Sequence, residues 1–264
     1  MIRFDFSGKT VIITGGNGDI GKATAARFLE AGANVVISGR NIEKGKAVLE
    51  TLKGIAPDRV EFIAGDISSY EDDRMLVEKT AERFGGLDIL VNNAGINGQL
   101  PERRPFHEYD KDFWTKVINI DLNGTFYLSQ IASNFMIEQG RGGRIVNISS
   151  VMGITPARLQ CAFTAAKAGV IMLSRVMALE LAPYNINVNC LCPGSILTEK
   201  TSAKFYSNKE KSEALLSHVP MKRPGKPDEI ASGILFLASE EASYTTGDNM
   251  IIDGGWMCGY SRDW

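Results

Sequence analysis

The sequence predicts an α/β protein, built as an open, doubly wound parallel sheet with helices on both faces. Three observations carry that prediction. Short β-rich runs alternate with longer helical stretches along the whole chain. The β-rich runs are nearly continuous in Val, Ile and Leu, as expected of strands covered on both faces. A glycine-rich turn, Thr14-Gly15-Gly16-Asn17-Gly18-Asp19-Ile20-Gly21, separates the first such run from the first helical stretch.

The elements read in order. Val11-Ile12-Ile13 is a strand, Ile20–Ala31 a helix stopped by Gly32, and Val35-Val36-Ile37 the next strand. A helix through Glu43–Leu52 precedes the strand Val60–Ala64. Later strands are Leu87–Val91, Arg144–Ile148, Asn187–Leu191 and Asn249–Ile252. No repeat, low-complexity linker or composition shift divides the 264 residues, so residues 1–264 are read as one domain. The loosest region is 194–223, rich in Ser, Lys, Glu and Asn with a weak helical pattern, and it is the candidate lid.

Composition narrows the function classes. The chain is 44% hydrophobic and 23% charged with a net charge of -2, which suits a soluble globular protein and gives no basic excess for nucleic acid or an anionic membrane. No apolar run approaches the roughly 18 residues of a spanning helix. Met1–Asp5 lacks the start of a signal peptide, so the expected compartment is the cytoplasm. Cys161, Cys190, Cys192 and Cys258 read as reduced thiols, with Cys190 and Cys192 on one face of a strand. With only His107 and His218 beside them, no metal site is expected.

The glycine turn has a chemical reason. Glycines allow the tight turn and let backbone approach a pyrophosphate, while the following helix offers free N–H groups and its positive dipole end. Asn92-Asn93-Ala94-Gly95 follows the fourth strand directly. Together these segments resemble the short-chain dehydrogenase/reductase family, over about residues 7–255. Gly15 and Gly21 match its Thr-Gly-x-x-x-Gly-x-Gly loop, whereas Asp19 occupies the middle glycine position, with Gly18 one residue earlier. Asp19 is expected to cap the following helix. The match continues through Arg223–Ala231, Thr246-Gly247 and Asp253-Gly254-Gly255.

The resemblance implies a Rossmann fold and a set of cofactor contacts: Gly15, Asn17, Asp19, Ile20 and Gly21 in the loop, Asp66 and Ile67 at the adenine, and Asn93, Ala94 and Gly95 on the fourth strand's turn. It adds Lys167 at the nicotinamide ribose, and Pro193, Gly194, Ile196 and Thr198 at the nicotinamide end. NAD-preferring relatives carry an acid at the end of the second strand. Here that position is Gly39, followed by Arg40, which is able to pair with a 2′-phosphate. NADP(H) is therefore the expected cofactor, with NAD(H) as the alternative.

The family's catalytic set is Ser, Tyr and Lys with an Asn nearby. Ser150 ends Arg144–Ser150, and Lys167 lies in Ala165–Gly169. The tyrosine position, counted from either residue, is Phe163, and the asparagine position is Asp121, flanked by the structural Asn119 and Asn123. In the family this residue works largely through its main-chain carbonyl, which an aspartate keeps, while the charge of Asp121 is able to perturb the lysine. Without the phenol, the chain is expected to bind cofactor and substrate yet turn over poorly. Two explanations fit: a variant altered to trap a complex, favoured by the intact Ser150 and Lys167, or a natural relative with no reaction of its own.

Substrate contacts are expected from Ser150, Met152, Arg158 and Gln160, rimmed by the insertion 98–107 with Arg103 and Arg104. They suggest a polar substrate such as a polyol, sugar or sugar acid. The aromatic tail Trp256–Trp264 is expected to dock on its own body or on a partner subunit, and the resemblance implies a homotetramer.

Overall fold

The computed structural model describes residues 4–97 and 102–259. Seven strands form one parallel sheet in the order β3-β2-β1-β4-β5-β6-β7. They are β1 (Thr10–Thr14), β2 (Asn34–Gly39), β3 (Val60–Ala64), β4 (Ile89–Asn92), β5 (Gly143–Ile148), β6 (Ile186–Pro193) and β7 (Asn249–Ile252). Each expected strand is present, with its ends moved by a few residues at most. The helices are α1 (Asp19–Glu30), α2 (Ile42–Lys53), α3 (Tyr70–Phe84), α4 (Lys111–Ile118), α5 (Gly124–Gln139), α6 (Cys161–Leu181), α7 (Glu199–Thr201), α8 (Lys209–Leu216) and α9 (Pro227–Ala238).

The pleat sorts the strand residues into two cores. Val11 and Ile13 of β1 and Val35 and Ile37 of β2 pack with Phe28 of α1, Leu52 of α2 and Ile234 of α9. Ile12 and Val36 point the other way, to Leu76 of α3, Leu128 and Met136 of α5 and Ala178 of α6. Both faces are therefore apolar, and this is why the strands read as continuous runs. α6 is long and apolar enough, by length and composition, to cross a membrane, contrary to the expectation that no segment approaches this. Its buried Val170 and Ile171 pack on Cys190 and Cys192 of β6. Both thiols are fully buried and unbridged.

One polar chain crosses this apolar interior. Asn92 of β4 donates to Ser129 of α5 and to Asn147 of β5, both at 2.8 Å. Asn147 in turn donates to Ser174 of α6 at 2.8 Å. All four side chains are buried, so each bond replaces water that cannot reach it. The chain ties the strands bordering the reaction side to both covering helices.

The strand order reverses between β1 and β4, which are paired through Val11↔Ile89 and Ile13↔Val91. Connections leave these strands in opposite directions and open a crevice above their C-terminal ends. Replacing Asn147 by Ala removes two buried hydrogen bonds, leaving the Asn92 amide with Ser129 alone and the Ser174 hydroxyl with the Val170 carbonyl alone. The variant is expected to lose about 2–4 kcal/mol of stability in denaturant unfolding.

Candidate active site

The crevice is a cleft of about 420 Å³. Its floor is a junction of loops. The side-chain amide of Asn93 donates to the carbonyls of Thr14 and Gly15, at 3.0 and 3.2 Å. The hydroxyl of Thr14 accepts the backbone amides of Asn93 and Ala94, both at 3.0 Å. Gly15 has φ +62, and a Cβ on it would meet the Cα of Ala94 at 2.9 Å. Only glycine satisfies both conditions.

The first turn of α1 points its amides into this cradle, and no side chain caps it. Open N–H groups, a helix dipole and a glycine floor fit a pyrophosphate. Asp19 is not the expected cap. Its carboxylate accepts the amide of Glu199, 180 residues on, at 2.9 Å. Glu199 also pairs with Lys44 of α2 at 3.0 Å. The helix therefore keeps its amides for a ligand, and the acid beside them is turned toward Glu199 in the candidate lid.

At one end of the cleft Arg40 lies 3.6 Å from Asp66, and both are partly exposed. Burial works against the charge on Asp66, but hydrogen bonds from Ser68 and the charge of Arg40 hold its carboxyl below the ordinary range. The space beside Gly39 is filled by the carboxamide of Asn17, 2.9 Å from where a Cβ would stand. Ile67, Leu76, Asp72 and Asp73 line the cleft nearby.

At the other end lies Lys167, 5% exposed. Its Nζ donates to the carbonyl of Ile148 at 3.0 Å and faces Asp121 Oδ2 at 3.3 Å. Asp121 is fully buried, on a wide π-helical turn, Asn119–Asn123, between α4 and α5. Its Oδ1 accepts the amide of Ile96 at 2.8 Å. Burial pushes its carboxyl up, and the charge of Lys167 and the Ile96 amide oppose that. The carbonyl of Asp121 accepts the Thr125 hydroxyl, while its carboxylate faces Lys167. Asn123 donates to Asn119 on the same turn, the structural role expected of both. Lys167 Nζ stands 5.7 Å from the centroid of the Phe163 ring. Ser150 caps the short turn that follows β5, its hydroxyl accepting the Met152 amide at 3.1 Å.

Eleven of the expected cofactor residues line the cleft together: Gly15, Asn17, Asp19, Ile20, Gly21, Arg40, Ile67, Asn93, Ala94, Gly95 and Thr198. Asp66 stands beside Arg40, and Lys167 lies behind Gly95, where a Cβ would meet its Nζ at 3.2 Å. Pro193, Gly194 and Ile196 do not line the cleft. Ile196 packs into the core, and Gly194 makes room for Asp253 of the following strand's end. Ser38, Lys44, Asp73, Leu76 and Ile120 line it without having been singled out.

The expected substrate residues are differently placed. Gln160 is buried at the start of α6, where its carbonyl oxygen accepts from Arg103 at 2.8 Å. It tethers the insertion, of which 98–101 lie outside the described residues. Met152 is half-buried and Arg158 exposed. The candidate lid is more helical than its pattern suggests, with α7 and α8 in it. Its base is closed by backbone bonds between Leu197 and Gly225 and between Gly225 and Ser195, at 2.8 and 2.9 Å. After Gly255 the chain turns on the Asp253 carboxylate, which accepts the Met257 amide at 2.7 Å. Residues 260–264 of the tail lie outside the described residues.

Residues 16–257 match the family described as Enoyl-(Acyl carrier protein) reductase. The chain belongs to the short-chain dehydrogenase/reductase family. An uncharacterized oxidoreductase of Thermotoga maritima is 41% identical, over 95% of this chain and 98% of its own. The L-rhamnose 1-dehydrogenase (NAD(P)(+)) of Azotobacter vinelandii is 38% identical, over 94% and 96%. The crystal structure of the short-chain dehydrogenase/reductase glucose/ribitol dehydrogenase of Brucella melitensis superposes with a TM-score of 0.87 at 35% identity, over 97% and 99%. The chain is thus an oxidoreductase by family, and the family's cofactors are nicotinamide dinucleotides.

The buried pair yields a test. Asp121→Ala leaves the Lys167 ammonium without its counter-charge and is expected to cost about 3–5 kcal/mol in chemical denaturation. Asp121→Asn is expected to cost less, because an amide oxygen still accepts from Ile96.

Proposed function

We propose that this chain interconverts a secondary alcohol and a carbonyl with NADP(H) preferred over NAD(H), on a polar polyol, sugar or sugar-acid substrate, and that Phe163 makes it slow or silent as it stands. The observation that carries the proposal is the retained pair of Ser150 and Lys167 beside a complete phosphate cradle. The nicotinamide, when bound, supplies or accepts the hydride. The Ser150 hydroxyl hydrogen-bonds the substrate oxygen, and Lys167 holds the nicotinamide ribose and places a positive charge near the reacting oxygen. Phe163 keeps the ring beside Lys167 but offers no proton to that oxygen.

Arg40 at the mouth, with no acid at Gly39, supports the 2′-phosphate. Arg103, held by Gln160, and Lys204 of the lid both stand over the Phe205 ring, at 5.8 and 5.3 Å from its centroid. Burial, and for Lys204 also the charge of Arg103, lowers both cations below their ordinary range. Two cations gathered over the Phe205 ring favour a substrate with a carboxylate within the polar class, and the sugar and polyol names of the relatives support the polar class itself. Segment 194–223 acts as the substrate lid. The exposed Phe126 of α5 and Met172, Val176 and Leu179 of α6 form an apolar face that supports a homotetramer.

Phe163 also favours a second reading, a binding protein of the same fold that senses nucleotide without reaction. Phe163→Tyr separates the two. It is expected to raise turnover by about 10²–10⁴-fold, read as nicotinamide absorbance with NADP and NAD on a panel of polyols, sugars and sugar acids. A variant that binds nucleotide and stays silent supports the sensor. In that active background Arg40→Ala is expected to raise the KM for NADP(H) about tenfold, with that for NAD(H) unchanged. Leu179→Glu is expected to lower the mass seen by light scattering below that of a tetramer.

A further inference from the structure

Asp73 lies in the first turn of α3 and lines the dinucleotide cleft beside Ile67, Leu76 and Asp72. Nothing above uses it. It is 2% exposed, and its Oδ2 has no hydrogen-bond partner among the described residues. The acids around it are differently placed. Asp72 Oδ2 accepts the Asp66 amide at 2.8 Å, and Asp66 Oδ1 accepts the amide and hydroxyl of Ser68. A buried polar atom left unpaired is costly, so a bound partner at this point recovers free energy.

Burial and the neighbouring charges of Asp72 and Asp66 push the Asp73 carboxyl up to about 8. Near neutral pH it is a carboxylic acid, with an O–H donor and a carbonyl acceptor side by side. The position in the cleft then identifies the ligand group, given the cofactor reading above. The phosphate cradle at α1 is central, and Ser150 and Lys167 mark the reacting end. The opposite end, walled by Ile67 and Leu76, suits a flat aromatic ring. A purine offers an amino donor next to ring-nitrogen acceptors, the complement of a protonated carboxyl.

We propose that Asp73, in its acid form, hydrogen-bonds the polar edge of the adenine of the bound dinucleotide, and that losing this proton weakens nucleotide binding. The direction follows from the chemistry. The acid form, present at lower pH, is the binding form, so affinity falls as pH rises through about 8. The charged groups nearby are Asp72 on α3, Asp66 after β3, Arg40 after β2 and Lys44 on α2. α5, packed along α3, carries Tyr127 in ring contact with Tyr70 and no charged residue before Glu138. β1 and β2 carry none.

The test is calorimetric titration of the full chain with ADP-ribose at about pH 6.5 and about pH 9.5. ADP-ribose carries the adenine but no nicotinamide and no group that titrates between these values. The wild type is expected to lose affinity about tenfold or more at the higher pH. Asp73→Asn, which keeps a donor and an acceptor but cannot ionise, is expected to bind as the wild type does at low pH, with no such loss. Asp73→Leu is expected to bind about tenfold more weakly at low pH, also without the loss. Circular dichroism melting establishes that both variants are folded. Equal pH slopes in the wild type and Asp73→Asn, or full affinity in Asp73→Leu, overturn the role of Asp73 and leave the cofactor reading intact. Failure of the wild type to bind ADP-ribose, NADP and NAD alike overturns both.

Discussion

The site depends on the hydrogen bonds that join the ends of β1 and β4. Two parallel strands whose connections leave in opposite directions have no reason to keep their following loops together. Asn93 and Thr14 supply it, exchanging side-chain and backbone bonds across the switch point. That junction holds Gly15 against Ala94 and sets the α1 amides at the cleft floor. It also places Gly95, and behind it Lys167, at a fixed distance from the cradle. The buried Asn92–Asn147 chain secures the same strands from within, so the loops above them rest on a stiff base.

The reacting end shows a different balance. Lys167 is buried and has been given a carboxylate, a carbonyl and an aromatic face. A lone ammonium in that place is costly, and the Asp121 carboxylate makes the burial tolerable. The positive charge is therefore retained within a nearly neutral pair. Beside it, Phe163 packs against Val117, Ala162 and Ala166 with a ring that carries no hydroxyl.

The strands were legible because burial on both faces leaves a compositional mark that needs no knowledge of neighbours. The glycine loop was legible because its residues are constrained by local backbone geometry. What the sequence concealed was set by distant partners. Asp19 looks like a helix cap, yet its bond is to an amide 180 residues away. Asp121 looks like a poor substitute for an asparagine until Lys167 is seen across from it. Asp73 stands among acids at the start of a helix, which usually signals a solvated first turn, and only packing reveals it as buried. α8 was missed because it buries none of its side chains, so its apolar residues carry no stripe.

Segment 194–223 is clamped at its root, and further along it Tyr206 bonds back to Ser195 and Phe205 meets Arg103. Backbone bonds between Ser195, Leu197 and Gly225 pin its two ends to each other, and Asp19 and Lys44 secure its first turn. In a segment closed in this way, doubling the length costs only about 0.6 kcal/mol of chain entropy. The length of this segment can thus change at little cost to the fold beneath it. A fold with this modularity can change its diet without rebuilding its engine.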